Sequence, residues 1–467
     1  MLPHLLLILA ALAGGALLFS WFYRLARAER HSTIICFILA LIVLETGLYE
    51  TIDIPVGIFH PATGALKFET VDLIILVAVA ATLVAGKRAV LTKTSLLWAA
   101  FGGWIVTEAA VGVMNGNPTS NIGYEVKAVV YLSLFTVARR IPLKDPRSQR
   151  SFARLLYFSA LVSGITVTLG AMGIRLDISG LAPGLHSAEL GKVGSIGANL
   201  FVALGVLGLC MAVCSDRRRF PLLFVIGPLF VPPLMAHQRA ALVNLAVSFA
   251  VLAALLPIAR HKLRATVAEM TLVGLAALAL VLLPVFVNGV VKSERQIPFS
   301  HALSYALTSG EKKLSAQDRV NQINEARVLI RQRPLTGWGL GKTITYYEVG
   351  FKVFVATYLT HNIITDLLLR TGFVGLFLFV CAAVGSFGQG VTAWRYASDP
   401  MVAATALASV TIMAGWIAHG MVESLFEHVQ LAPLFGIMIG LVQAAVSQLR
   451  EPAVATERTL VPVAATT

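Results

Sequence analysis

THNIITDLLLRTGFVGL, residues 360–376, opens an apolar run that continues as FLFVCAAVGSF to residue 387. A run this long reads as a membrane helix, because about 20 apolar residues in helical form cross the hydrocarbon core of a bilayer. Yet it starts on His361 beside Asn362 and carries Asp366 and Arg370 in its first turns. Ionisable groups at membrane depth are costly, and they face a cavity or a partner rather than lipid. Asp366 and Arg370 stand four residues apart with the acid first, the favourable order for a helical pair. His361, whose unperturbed pKa lies near neutrality, is the candidate general base.

Similar runs recur along nearly the whole chain. Of 467 residues, 57% are hydrophobic and 13% charged, which excludes an ordinary soluble domain. Hydropathy predicts about 13 spans, at 3–23, 32–50, 70–86, 94–113, 122–138, 153–172, 194–214, 220–236, 239–259, 267–290, 361–383, 400–420 and 429–447. The runs lack barrel-strand alternation, so the expected fold is an all-α polytopic transmembrane bundle. Connections rich and poor in Lys and Arg alternate. Arg24–Arg30 holds three Arg and Ala138–Arg154 six basic residues, while Asn115–Asn121 holds none. By the positive-inside rule this puts the N-terminus outside and the C-terminus inside. The same rule absorbs much of the net charge of +13 without nucleic-acid binding. The run 3–23 has no basic residue before it, so it is expected to stay as a first helix. Cys36, Cys210, Cys214 and Cys381 fall inside apolar runs and read as small apolar packers. The expected organisation is one membrane domain over 1–447 and a disordered cytoplasmic tail over 448–467.

The loop at about 292–360 breaks the charge rhythm, with ten Lys or Arg against five Asp or Glu on the expected outer side. Within it, SAQDRVNQINEARVLIRQRPLTGWGLGK (315–342) has the grammar of an amphipathic helix. Ser315 and Asp318 suggest a capping box. Val320, Ile323, Ala326 and Ile330 suggest an apolar stripe, and Pro334 a stop. The GWGLGK turn would let backbone approach a ligand closely. Arg319, Arg327, Arg331 and Arg333 either face water and lipid phosphates or line an anion site. Upstream, MAHQRAALVNLAVSF (235–249) puts Arg239 at a helix start, where free N–H groups already favour anions. A guanidinium there suits phosphate or simply snorkels to the headgroups. His419 and Glu423, spaced i,i+4 with Glu427 and His428 nearby, read as a hydrogen-bonded helix end or a cation site. Glu423 or Glu427 is the next candidate base after His361.

Arg319, then Pro334-Leu335-x-Gly337-x-Gly339, then His361-Asn362 and a helix with Gly372 and Gly375, resembles the signature of the O-antigen ligase and polysaccharide polymerase superfamily. HQRAALVNLAVSF is similar to its Arg-containing helix start, and the likeness covers about 235–380. The resemblance implies a metal-independent, cofactor-free C-type glycosyltransferase in the bacterial cytoplasmic membrane, working at its extracytoplasmic face in cell-surface polysaccharide assembly. It would move a glycan from an undecaprenyl-pyrophosphate carrier to the hydroxyl of a glycan or glycolipid acceptor, as ligase or repeat-unit polymerase. It further implies that Arg239 and Arg319 bind the pyrophosphate and that His361 is catalytic. Asn362, Arg327, His237 and Glu423 are secondary candidates. The rival reading is a polytopic lipid or glycan transporter, for which paired inverted repeats would be the mark.

Overall fold

A computed structural model describes residues 2–51, 70–86, 92–171, 197–214, 225–230, 239–262, 310–349, 352–358, 360–423 and 432–450. The helices are α1 (Leu2–Arg27), α2 (His31–Thr51), α3 (Thr70–Ala85), α4 (Lys93–Met114), α5 (Thr119–Ser133), α6 (Phe135–Ala138), α7 (Pro146–Ala171), α8 (Gly197–Cys214) and α9 (Arg239–Leu255). There follow α10 (Gly310–Gln332), the strands β1 (Ile344–Glu348) and β2 (Val353–Thr357), then α11 (Ile363–Tyr396), α12 (Pro400–Gly420) and α13 (Ala432–Arg450). The protein is an all-α polytopic membrane protein. Five helices among the described residues, those at 93–114, 240–259, 363–396, 400–420 and 432–449, are long and apolar enough to cross a bilayer. The expected span 267–290 lies outside the described residues.

The centre of the bundle is aromatic. Trp98 of α4 meets Phe379 of α11 and Phe435 of α13 edge-on, at 5.9 and 5.5 Å between ring centroids, and Trp416 of α12 stacks on Phe435 at 3.9 Å. Such rings combine a large buried area with a preferred geometry, which fixes how four helices meet. α12 is apolar and buried almost all round, as expected of a central helix. Leu73, Leu83, Val84, Leu96, Val106, Leu161, Phe377 and Val384 are exposed instead. That apolar exterior belongs in lipid. Among the apolar helices Lys127 and Asp72 form a fully buried ion pair at 3.0 Å, and the Tyr131 hydroxyl donates to the same carboxylate at 2.7 Å.

Long-range hydrogen bonds define the two ends of the bundle. At one end the Trp394 indole donates to the Leu255 carbonyl, and Gln448 donates to the Ile141 carbonyl. At the other, Leu340 N–H donates to the Glu108 carbonyl near the end of α4, and the Asn362 amide to the Met421 carbonyl just past α12.

Four expectations need correction. The span at 122–138 is broken between α5 and α6 at Leu134. The long loop holds a 23-residue helix and also a two-stranded antiparallel hairpin, which the helix grammar of 315–342 did not anticipate. Ser315 lies inside α10 and does not cap it, because the helix already starts at Gly310. Finally α13 runs on to Arg450, past the expected start of the tail at 448; residues 451–467 lie outside the described set.

Candidate functional site

The helix that begins at Ile363 has 34 residues, about 51 Å at 1.5 Å per residue, too long for one straight crossing. It is interrupted at Gly372, whose φ of 64° and ψ of −168° suit glycine alone. A break frees backbone groups that lipid cannot satisfy, so protein must do it. The partner is the turn after α10. Trp338 and Gly339 N–H donate to the carbonyls of Leu369 and Arg370 at 2.9 and 3.0 Å. Phe373 and Val374 N–H donate to those of Pro334 and Leu335 at 2.8 and 3.2 Å. A Cβ on Gly372 would strike the Leu335 carbonyl, so the close approach needs glycine.

This overturns the reading of GWGLGK as a ligand-approaching turn. Gly337 N–H donates to Arg333, Leu340 N–H to the Glu108 carbonyl and Gly341 N–H to the Glu125 carboxylate at 2.7 Å. Every N–H from Gly337 to Gly341 therefore has a protein acceptor. The Asn117 amide donates in turn to the carbonyls of Trp338 and Leu340 at 3.1 and 2.8 Å. The turn is a plug that holds a broken helix.

Beneath the plug lies a buried charge knot. Arg370, 3% exposed, pairs with Asp366 as the i,i+4 spacing suggests and also with Glu125, 2.6 Å away. It donates further to the Tyr358 carbonyl, while the Thr360 hydroxyl donates to Asp366 at 2.6 Å. The chain is thus tied down at Tyr358 and at Thr360, just before His361. Sequence reasoning missed Glu125, Asn117 and Thr360, which come from other elements and carry no motif.

His361 precedes the helix; Asn362 is its N-cap, accepting from Thr365 N–H at 3.0 Å. The other end of that amide bonds the Met421 carbonyl at 3.0 Å, so Asn362 tethers α11 to the end of α12. His361 Nδ1 is buried and makes no hydrogen bond among the described residues. Burial first, and the Arg319 charge second, pull its imidazole down to about 4. Glu423 is pushed up by burial and pulled back by Arg319. One guanidinium therefore acts on both groups. His419 Nε2 lies 3.6 Å from the Glu423 carboxylate, an i,i+4 contact at the end of α12.

α10 sorts its arginines by face. Gln322 and Ala326 are buried, with Ala326 packed against Ile344 and Leu369, and half-buried Arg319 shares their stripe. Val320 is 48% exposed, so the expected apolar stripe is rotated. Arg327, Arg331 and Arg333 face outward, and Arg333 lies over the Trp338 ring at 4.3 Å. Asp318 accepts Val349 N–H at 2.7 Å, and the Asn321 amide donates to the Tyr347 carbonyl at 2.9 Å, which docks the hairpin beside Arg319. The backbone of Arg239 opens α9. Five residues on, Asn244 lies against Gly415 near the His361 end of α12, while Leu255 sits at the opposite end. His237, Glu427 and His428 lie outside the described residues.

Residues 224–380, which include α9, Arg319, the plug and His361, match the family model described as O-antigen ligase. No curated protein matches the chain.

Proposed function

From its place in the O-antigen ligase family, carried by residues 224–380, we infer that this membrane protein transfers a glycan from a polyprenyl-pyrophosphate donor to an acceptor hydroxyl. The acceptor oxygen attacks the anomeric carbon. Its proton passes to His361, and the anomeric carbon–oxygen bond breaks with the electron pair leaving on the pyrophosphate. Arg319, joined by Arg239 from α9, meets that growing negative charge with fixed cations in a partly desolvated site. The observation that carries the reading is the buried, unbonded Nδ1 of His361 within the field of Arg319. The basic connections gather at the far end, which supports a site on the extracytoplasmic face.

His361 is held neutral, the form a base needs, at the cost of base strength. A pyrophosphate paired with Arg319 cancels the part of the lowering due to that charge, so donor binding strengthens the base as the substrate arrives. The sign follows. In free enzyme kcat/KM should fall on acidification only near pH 4 and stay flat across neutral pH, whereas kcat should fall at higher pH than kcat/KM does. A kcat/KM limb centred at the ordinary histidine value, about 6.5, would count against this assignment.

The test of function is turnover by purified protein on a synthetic undecaprenyl-pyrophosphate glycan. Chain growth without added acceptor identifies a polymerase, transfer only to an added glycolipid identifies a ligase, and no transfer under either condition defeats the reading. In the same assay Arg319→Gln is expected to lower kcat/KM by roughly 10²-fold or more. Arg327→Gln, on the outward face, should stay within about threefold. A second base assignment rests on Glu423, whose raised carboxyl lies within reach of the same arginine. Glu423→Gln with His361 intact separates the two.

A further inference from the structure

The opposite end of the bundle holds a second concentration of cationic groups that the transfer reaction does not use. Arg139 and Arg140 directly follow α6; Arg140 bonds the Thr82 carbonyl near the end of α3 and acts on His31 at the start of α2. His31, the first residue of α2, is 6% exposed, and neither ring nitrogen has a hydrogen-bond partner among the described residues. Arg139 Nε and Nη1 and Arg140 Nε are likewise buried without an acceptor among the described residues. Among the described residues Arg140 reaches one acceptor, the Thr82 carbonyl. The space that its guanidinium fills is open because residue 86 is glycine; a Cβ there would strike it. The groups act on one another: Arg140 on Arg139, and Arg140 on His31 more strongly than the Glu29 carboxylate does.

The positive-inside rule explains why basic residues collect at this end. It does not explain why their donors are buried. Residues selected only for topology keep their charge in water, and a buried guanidinium donor without an acceptor is unfavourable. Two planar forks and an imidazole beside a helix N-terminus make a donor set suited to a tetrahedral oxyanion.

We propose that His31, Arg139 and Arg140 bind a phosphate group at the end of the bundle opposite His361. Its source is an anionic phospholipid headgroup or a free phosphate, which share the chemistry but not the phase. The full-length protein, delipidated in neutral detergent, is reconstituted in phosphatidylcholine nanodiscs with or without phosphatidylglycerol, and separately titrated with inorganic phosphate. The expected result is a rise in unfolding midpoint with one of the two, beyond that produced by chloride at equal ionic strength. A rise with phosphatidylglycerol alone assigns the site to lipid; a rise with inorganic phosphate assigns it to a soluble ligand. The rise should vanish in Arg139→Gln/Arg140→Gln and shrink in His31→Asn, yet persist in Arg150→Gln/Arg154→Gln on neighbouring α7. Should the double variant not fold, the chloride comparison on wild type and the His31→Asn titration decide. No midpoint rise beyond chloride, or an equal rise in His31→Asn and wild type, overturns the site.

Discussion

His361→Ala is expected to lower transfer by about 10²–10⁴-fold, the usual contribution of a positioned general base. The variant should still fold. Among the described residues His361 Nδ1 makes no hydrogen bond whose loss would strand a buried partner. The contacts that hold its segment belong to its neighbours: Thr360 bonds Asp366, and Asn362 caps α11 and bonds Met421. Removing the ring leaves that frame standing. The check is steady-state transfer together with the unfolding midpoint of the same preparation. An active variant would remove His361 from the chemistry and move the base to Glu423. A variant that loses its fold along with its activity would show that the ring is structural.

The largest effect on stability is expected at Arg370. Arg370→Met would leave Glu125 and Asp366 facing each other in a buried site without their shared cation, a loss of about 3–5 kcal/mol for breaking such a pair from one side. It would also free the Tyr358 carbonyl and loosen the chain before His361. Activity should therefore disappear with the fold, in contrast to His361→Ala. The decisive comparison adds Glu125→Gln and Asp366→Asn to Arg370→Met. Once the stranded charges are gone the triple variant should regain part of the midpoint, because an apolar or neutral replacement of a whole buried ion cluster is often tolerated. A triple variant no better than the single would show that the guanidinium matters for shape rather than charge.

What was legible in the sequence was carried by short-range pattern. Apolar runs disclosed a helical membrane protein, since lipid leaves the backbone few choices. The Asp366–Arg370 spacing announced its pair, and Pro334 its helix end. The order of Arg319, the Gly-containing turn and His361-Asn362 pointed to the family that residues 224–380 match. All these are relations within a few turns, or a residue order that survives in one dimension.

Other decisions depended on partners distant in the chain. That the Gly-rich turn plugs a broken helix follows only once Trp338 and Gly339 meet the carbonyls of Leu369 and Arg370. Glu125, more than 200 residues from Arg370, completes the charge knot. Helical phase alone left open which α10 arginine turns inward. The hairpin and Ala326 settled it by packing one face of that helix and leaving Arg327 in the open. Hydropathy measures whether a segment prefers lipid to water. It cannot say which polar group a buried donor will meet, because that depends on a neighbour that only the folded chain supplies.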